Sequence, residues 1–213
     1  MKILFLSLSD RKELYSYTFP KITEYCKLYN YDFIYANSII DTSRHISWSK
    51  IPLLLEQMLI NKDYDFYIWI DDDIYITNFS LNIIDIIKQY KFNSILFSQD
   101  VIQECPLNAG IMVCKNNLNT ISILNKVYDL VDECDTRYKH NWEQDAIIRY
   151  YNKYMGNPND IITIPHRLIQ SFYRTYDLPK ELHWQPGDFS AHITGMDLSK
   201  RLDIIKILTN LHK

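Results

Sequence analysis

Phe66-Tyr67-Ile68-Trp69-Ile70-Asp71-Asp72-Asp73 reads as a strand that is apolar at every position and then stops on three carboxylates. Five apolar residues without alternation fit a strand covered on both faces, the pattern of inner strands in a parallel sheet. Ligands of open α/β sheets bind beyond the carboxyl ends of such strands, which is where the aspartates stand. Like charges at the mouth of a low-dielectric sheet repel, so the cluster calls for a neutralising partner, and a divalent cation supplies one. In extended backbone Asp71 and Asp73 point to one side and Asp72 to the other, so the first and third can share a cation. A solvated acidic turn is the competing reading.

Working outward, residues 2 to 8 form a second apolar run, followed by a helical pattern through Tyr15, Phe19, Ile22, Tyr25, Cys26 and Tyr29 and a strand over 31 to 35. Lys50 to Ile60 is expected to be a helix with Ile51, Leu54, Leu55, Met58 and Leu59 on one face. Strands are expected over 94 to 98 and 110 to 114, and helices over 81 to 90, 118 to 131, 142 to 154 and 198 to 211. Alternating strands and helices predict an α/β fold with a mostly parallel sheet covered on both faces. From Pro165 to Ser190, Pro165, Pro179, Pro186 and Gly187 interrupt the pattern, which predicts one long ordered loop.

The 213 residues suit one large domain, whole or as the N-terminal domain of a longer protein. With 23 Lys+Arg against 26 Asp+Glu the net charge is -3, which excludes a nucleic-acid partner held by bulk charge. The N-terminal apolar run is too short for a signal peptide, and Asp10, Arg11, Lys12 and Glu13 follow it at once, so it reads as a first buried strand. No run of 18 apolar residues exists, so no transmembrane segment and a cytoplasmic location are expected. Cys26, Cys105, Cys114 and Cys134 are widely spaced and read as reduced core thiols. The 17 Tyr, 9 Phe and 4 Trp serve either as core plugs or as surfaces on which sugars stack.

Several further residues can carry chemistry. His192, after the Gly187-Asp188 turn, offers an imidazole to a metal site or is structural. Glu143, Gln144 and Asp145 open a helix, where acidic residues also suit the macrodipole and Asp145 can pair with Arg149. Asn108, in a turn entering a strand, offers a donor and an acceptor to a sugar. Ser7, Ser9 and Asp10 end the first strand and either contact a nucleotide or cap the next helix.

Six blocks occur in one order between residues 45 and 196. They are Trp48-Ser49-Lys50-Ile51-Pro52, Tyr67 to Asp73, Leu107-Asn108-Ala109-Gly110, Glu143-Gln144-Asp145-Ala146, Ile164-Pro165-His166-Arg167 with Gln170-Ser171, and Trp184 to Phe189 before His192-Ile193-Thr194-Gly195. Together they resemble the family 34 glycosyltransferases, the galactosyl-, mannosyl- and xylosyltransferases of fungi and plants. The compact, aromatic-rich chain is also similar to glycosyltransferases of large algal viruses.

The resemblance implies a single GT-A catalytic domain over residues 1–213, Rossmann-like, with a mixed, mostly parallel central sheet flanked by helices. It implies a metal-dependent, retaining transfer of a hexose or deoxyhexose from a UDP-sugar donor to a glycan or glycoprotein acceptor. Mn²⁺ or Mg²⁺ would be held by Asp71, Asp73 and His192. The donor would be bound by Lys50, Asp71, Asp72, Gly195 and Lys200, to which the strand-end rule adds Ser7, Ser9 and Asp10. Asn108, Glu143, Gln144 and Asp145 match blocks that line the sugar and acceptor pocket. An amide of Gln144 or Asn108 would stabilise the cationic sugar in a front-face reaction, or Asp145 would act as nucleophile in a double displacement.

The chain departs from the family in two ways. No N-terminal anchor is expected from residues 1 to 13, and the family's lysine after the His-Xaa-Xaa-Gly segment is not at its spacing; Asp197 stands there, with Lys200 or Arg201 a turn later. Two other functions fit parts of the pattern, a phosphoryl-transfer or hydrolytic metalloenzyme, although no Walker glycine loop is present, and a carbohydrate-binding module stacking sugars on Trp48, Trp142 and Trp184.

Overall fold

The computed structural model describes residues 1–102, 105–133, 142–173 and 179–211; Cys134 and the Trp142 side chain fall outside it. The N-terminal apolar run is β1 (Ile3–Leu8), buried throughout, and α1 (Lys12–Tyr29) follows. Asn30 ends α1 in the left-handed region at φ 57°, which an asparagine tolerates, and the chain reverses into β2 (Asp32–Ala36). A 3-10 turn (Ile46–Ser49) leads into α2 (Lys50–Ile60) and then β3 (Phe66–Ile70). After these come β4 (Ile74–Ile76), α3 (Ile83–Ile87), β5 (Ile95–Ser98), β6 (Asn108–Lys115), α4 (Leu118–Asp129), α5 (Trp142–Lys153), β7 (Ile161–Ile164), β8 (Ser171–Phe172), β9 (Ser190–His192) and α6 (Leu198–Leu211).

Six strands form the central sheet in the order β2-β1-β3-β6-β5-β7. β6 runs antiparallel to both its neighbours and every other pair is parallel, so the sheet is mixed and mostly parallel as expected. Period-two alternation divides the strand residues between two cores. Ile3, Phe5, Phe66, Ile68 and Ile70 pack with Phe19 and Ile22 of α1 and Ile83 and Ile87 of α3. Leu4, Leu6, Tyr67 and Trp69 pack on the other face with residues of α2, α4 and α5, among them Ile51, Leu124 and Ile147. β3 is buried because both faces are covered, which is why its sequence does not alternate.

A second sheet, in the order β4-β9-β8, stands beyond the end of β3, and α6 packs Ile205 and Leu208 against Tyr75, Ala191 and Ile193. The sequence reading missed β4, β7, β8 and β9. The expected loop from 165 to 190 contains β8 and a 3-10 turn (Lys180–Leu182), and the expected helix over 81 to 90 is regular only over α3. Strands of two to four residues are too short to display a period. β7 did carry a signal, the turn residues Asn157-Pro158-Asn159-Asp160 before Ile161-Ile162-Thr163-Ile164.

Candidate active site

The site begins where β3 stops. Asp71 N–H donates to Gly110 O on β6 at 2.9 Å, and Ile74 N–H donates back to Asp71 O at 3.1 Å, closing a turn that sends the chain into β4. The three aspartates therefore lie in a turn and not in extended backbone. The expected division survives by this other route: Asp71 and Asp73 converge with His192, their ligand atoms within 4.8 Å of one another, and Asp72 binds elsewhere. β4 pairs antiparallel with β9 so that Ile74 lies opposite His192, and Ile193 N–H donates to Asp73 O at 2.9 Å. That pairing delivers His192 Nε2 to 3.2 Å from Asp73 Oδ1.

Each carboxylate has a basic partner of its own. Lys50 Nζ, 2% exposed, lies 3.1 Å from Asp71 Oδ1 and 2.8 Å from Glu143 Oε1, and donates to Ala109 O at 2.8 Å. Trp69 Nε1 donates to Asp71 Oδ1 at 2.6 Å. Asp72 accepts from the Ser9 hydroxyl and from Arg11 Nη2, and from Arg11 Nε at 3.0 Å. Asp73 pairs with Arg201 Nη1 at 2.5 Å as well as with His192. This corrects the charge argument drawn from the sequence: a lysine and two arginines counter the cluster, so charge alone does not require a cation.

Burial pushes the Asp71 carboxyl up against the pull of Lys50, and burial with the neighbouring Asp73 charge pushes Asp72 up to about 6 despite Arg11 and Ser9. Burial acts on Asp73 in the same direction, but His192 and Arg201 outweigh it and hold that carboxyl below the usual range. Burial opposes the Lys50 charge too, and Asp71 and Glu143 overcome it, keeping the ammonium protonated.

Across the site, Asn108 Nδ2 donates to Asp100 Oδ2 at 2.8 Å, and Asn108 Oδ1 accepts from Gly110 N–H at 2.9 Å and Gln170 Nε2 at 2.7 Å. Gln144 Oε1 accepts from Ala109 N–H at 2.8 Å, which ties α5 to β6. Glu143, 7% exposed, is held by Lys50, and Asp145 is half-buried in the same first helical turn. Gly110 has no room for a side chain: a Cβ there would lie 2.8 Å from Gln170 Oε1 and 2.8 Å from His192 Cε1.

The remaining expected residues are placed as follows. Ser7 Oγ donates to Ile70 O at 2.7 Å, tying β1 to β3. Ser9 Oγ accepts from Arg11 N–H at 3.0 Å besides serving Asp72, and Asp10 is exposed. Gly195 takes φ 71°, a left-handed conformation that glycine adopts without strain, just beyond β9. Lys200 is on the surface, 73% exposed and 3.5 Å from Asp197, and it is Arg201 that reaches Asp73. Trp48 is 3% exposed and packs in the core, not as an open stacking platform. Trp184 Nε1 donates to Thr77 Oγ1 at 3.1 Å.

Arg11, Asp100 and Gln170 were not singled out as site residues from sequence, and Arg201 was named only as an alternative to Lys200. The partners of Arg11, Arg201 and Gln170 lie far off in the chain, so no local pattern announces these contacts. Gln170 did carry a cue, its place in one of the ordered blocks.

The donor set suits a hard or borderline divalent cation, two carboxylates and an imidazole. The fit has an independent mark in the structure, because His192 Nδ1 is buried without a partner among the described residues, as a ring held for ligation leaves it until its outer contact forms.

The model of the galactosyl transferase GMA12/MNN10 family, glycosyltransferase family 34, matches residues 9–105, the part that holds the first two of the ordered blocks. Two Schizosaccharomyces pombe proteins, the probable alpha-1,2-galactosyltransferases gmh1 and gmh2, are 22% and 27% identical over 83% and 84% of the chain. The chain spans 61% and 60% of their lengths. Among solved structures, a glycosyltransferase involved in glycosylation of the major capsid of PBCV-1 superposes with a TM-score of 0.78 at 17% identity, covering 97% of this chain and 100% of that one. The galactosyltransferase LgtC, solved with donor and acceptor sugar analogs, superposes with a TM-score of 0.59 at 11% identity over 100% of this chain and 96% of its own. These likenesses establish the GT-A fold.

Proposed function

We propose that the chain is a metal-dependent, retaining glycosyltransferase that moves a hexose or deoxyhexose from a UDP-sugar to a glycan hydroxyl. The observation that carries this reading is the meeting of Asp71, Asp73 and His192 within 4.8 Å at the end of β3, the ligand edge of a GT-A sheet. The similarity to family 34 and to proteins named as galactosyltransferases supports the transfer chemistry.

Asp71, Asp73 and His192 would hold Mn²⁺ or Mg²⁺, which supplies Lewis-acid stabilisation of the charge on the departing nucleotide. The protein's own groups do the rest. Lys50 and Trp69 fix the Asp71 carboxylate from behind, so that it enters the reaction already oriented. Glu143, held by Lys50, serves as that lysine's anchor and is withdrawn from nucleophilic attack. Asn108 is tied on both ends of its amide and acts as scaffold. Gln144, its oxygen taken by Ala109 N–H, keeps its NH₂ end to donate to an oxygen of the sugar or the departing phosphate, so it orients the donor for a front-face transfer, and Asp145 holds sugar hydroxyls.

Calorimetric titration of the chain with UDP- and GDP-sugars, in Mn²⁺ and again in EDTA, tests this. One nucleotide series is expected to bind in Mn²⁺ and to be released by EDTA, and Asp73→Ala is expected to abolish that dependence. Binding that EDTA leaves unchanged would remove the metal from the reading, and no binding at all would leave only the fold.

A further inference from the structure

Two buried polar atoms of the site, Gln170 Oε1 and His192 Nδ1, lack a hydrogen-bond partner among the described residues. Their residues are 0% and 4% exposed, so bulk water does not satisfy them. Both border one small space over Gly110: a Cβ at that position would meet Gln170 Oε1 at 2.8 Å and His192 Cε1, the carbon bonded to both ring nitrogens, at 2.8 Å. Glycine keeps the space open and lets the amide and the ring approach each other.

The orientation of the Gln170 amide is dictated from outside the site. Asp100 Oδ1 accepts from Ile102 N–H at 3.0 Å, and the carboxylate can only accept, so the group that Asn108 turns to Asp100 Oδ2 at 2.8 Å is its NH₂. Asn108 Oδ1 then faces two donors, Gly110 N–H at 2.9 Å and Gln170 Nε2 at 2.7 Å. Gly110 N–H is a donor in every protonation state, so the assignment is fixed from two sides. The end of Gln170 left over Gly110 is therefore its carbonyl oxygen, an acceptor and nothing else.

On the ring, Nε2 is the nitrogen beside Asp73, 3.2 Å from Oδ1, and thus the one that belongs to the ligand set. An imidazole that ligates through Nε2 carries its proton on Nδ1, and ligating histidines donate that proton to a carbonyl or carboxylate, which fixes the ring. We propose that Gln170 is the positioning residue of the metal site: when a cation is bound, its carbonyl oxygen, unpartnered without one, would receive the Nδ1–H of His192 and hold Nε2 toward the ion, while Asp100 and Asn108 lock the amide in that sense. This rests on the metal reading above.

The test is Mn²⁺ binding by calorimetry to the wild-type chain and to Gln170→Met, which keeps the length of the side chain and removes the acceptor. The dissociation constant is expected to rise about 10- to 100-fold, the usual loss when an outer partner of a ligating histidine is removed. Circular dichroism and thermal melting of the metal-free variant are expected to match the wild type, separating positioning from folding. In parallel, ¹⁵N-imidazole NMR of the Mg²⁺-loaded wild type is expected to show His192 protonated at Nδ1 and bare at Nε2, a readout that needs no variant. A Gln170→Met chain that binds Mn²⁺ as tightly as wild type, or a ring that ligates through Nδ1, overturns the positioning role and leaves the metal reading standing. A wild-type chain that binds neither ion overturns both.

Discussion

Asp73 and Asp188 are alike in outline, carboxylates of 9% and 10% side-chain exposure gripped by an arginine, and they do different work. Asp188 accepts from Arg167 Nε at 3.0 Å and Nη2 at 2.8 Å, from Ser171 Oγ at 2.9 Å and from Gln185 N–H at 3.0 Å. Its acceptor capacity is filled by protein, and the cluster closes the segment between β7 and β9, with Arg167 held at φ 74° for the purpose. Around Asp73, by contrast, bonding capacity remains: Asp71 and His192 converge with it, and the outer nitrogen of that histidine is unpaired. Buried charge with an arginine partner does not mark an active site. Unfilled capacity converging on one point is what sets Asp73 apart from Asp188.

The largest expected effect tests that distinction directly. Asp73→Ala is expected to lower sugar transfer about 10³-fold, the loss of several kcal/mol of transition-state stabilisation. Its melting temperature should move less than that of Asp188→Ala, since Asp73 also repels Asp71 and Asp72. Transfer rates and melting curves of the two variants decide the matter, and a reversed order would erase the contrast.

Lys50→Met probes a residue that belongs to both kinds of region. It leaves Asp71 and Glu143 facing each other without the ammonium between them, and breaking a buried pair from one side costs about 3 kcal/mol at the lower end of the range, because the Asp71 side chain keeps 29% exposure. Denaturant unfolding should register that loss, and Glu143→Gln, which leaves Lys50 with Asp71, should lose much less. Asp188→Ala comes next, at about 2 kcal/mol, since Arg167 at 30% exposure is partly solvated. That is a fall of about 4–8 °C in a chain of this size.

The contrast also explains what the sequence disclosed. Asp71 and Asp73 were legible because an apolar strand that ends in charge is a local pattern, and the α/β sheet was legible from runs of five or more residues. His192 was ambiguous by spacing, a metal ligand or structural, and was favoured as a ligand only through the ordered blocks, because its proximity to Asp73 is made by the pairing of β4 with β9, two three-residue strands. Arg201 lies 128 residues from Asp73 and Arg11 lies 61 from Asp72, so neither partner is visible in a window of sequence. The charge argument for a cation is weaker than it looked for this reason: basic groups of the chain also counter the aspartates, too far along it to be seen. Lys200 and Arg201 are adjacent in sequence, yet the helical turn of α6 sends one to Asp197 on the surface and the other to Asp73.

The smallest effect extends the comparison to a carboxylate near the surface. Asp41 accepts from the Ser43 hydroxyl and backbone N–H and from the Tyr128 hydroxyl, and these bonds hold its carboxyl down to about 2, with Arg44 adding at 3.3 Å. A carboxyl whose folded value is depressed contributes stability above its ordinary value of 3.8, and that contribution is lost as pH falls toward 2. Tyr128→Phe removes one of the donors, so melting temperature should fall less steeply between pH 4 and pH 2 than in the wild type, with little change near neutrality beyond the lost bond. If Asp41 behaves so while its satisfied bonding leaves transfer activity untouched, it joins Asp188 on the structural side, and depressed acidity is no more a mark of function than buried charge is. A Tyr128→Phe chain with an unchanged acid limb would show instead that Ser43 and Arg44 set the Asp41 value, since the tyrosine is the donor that reaches the loop from α4.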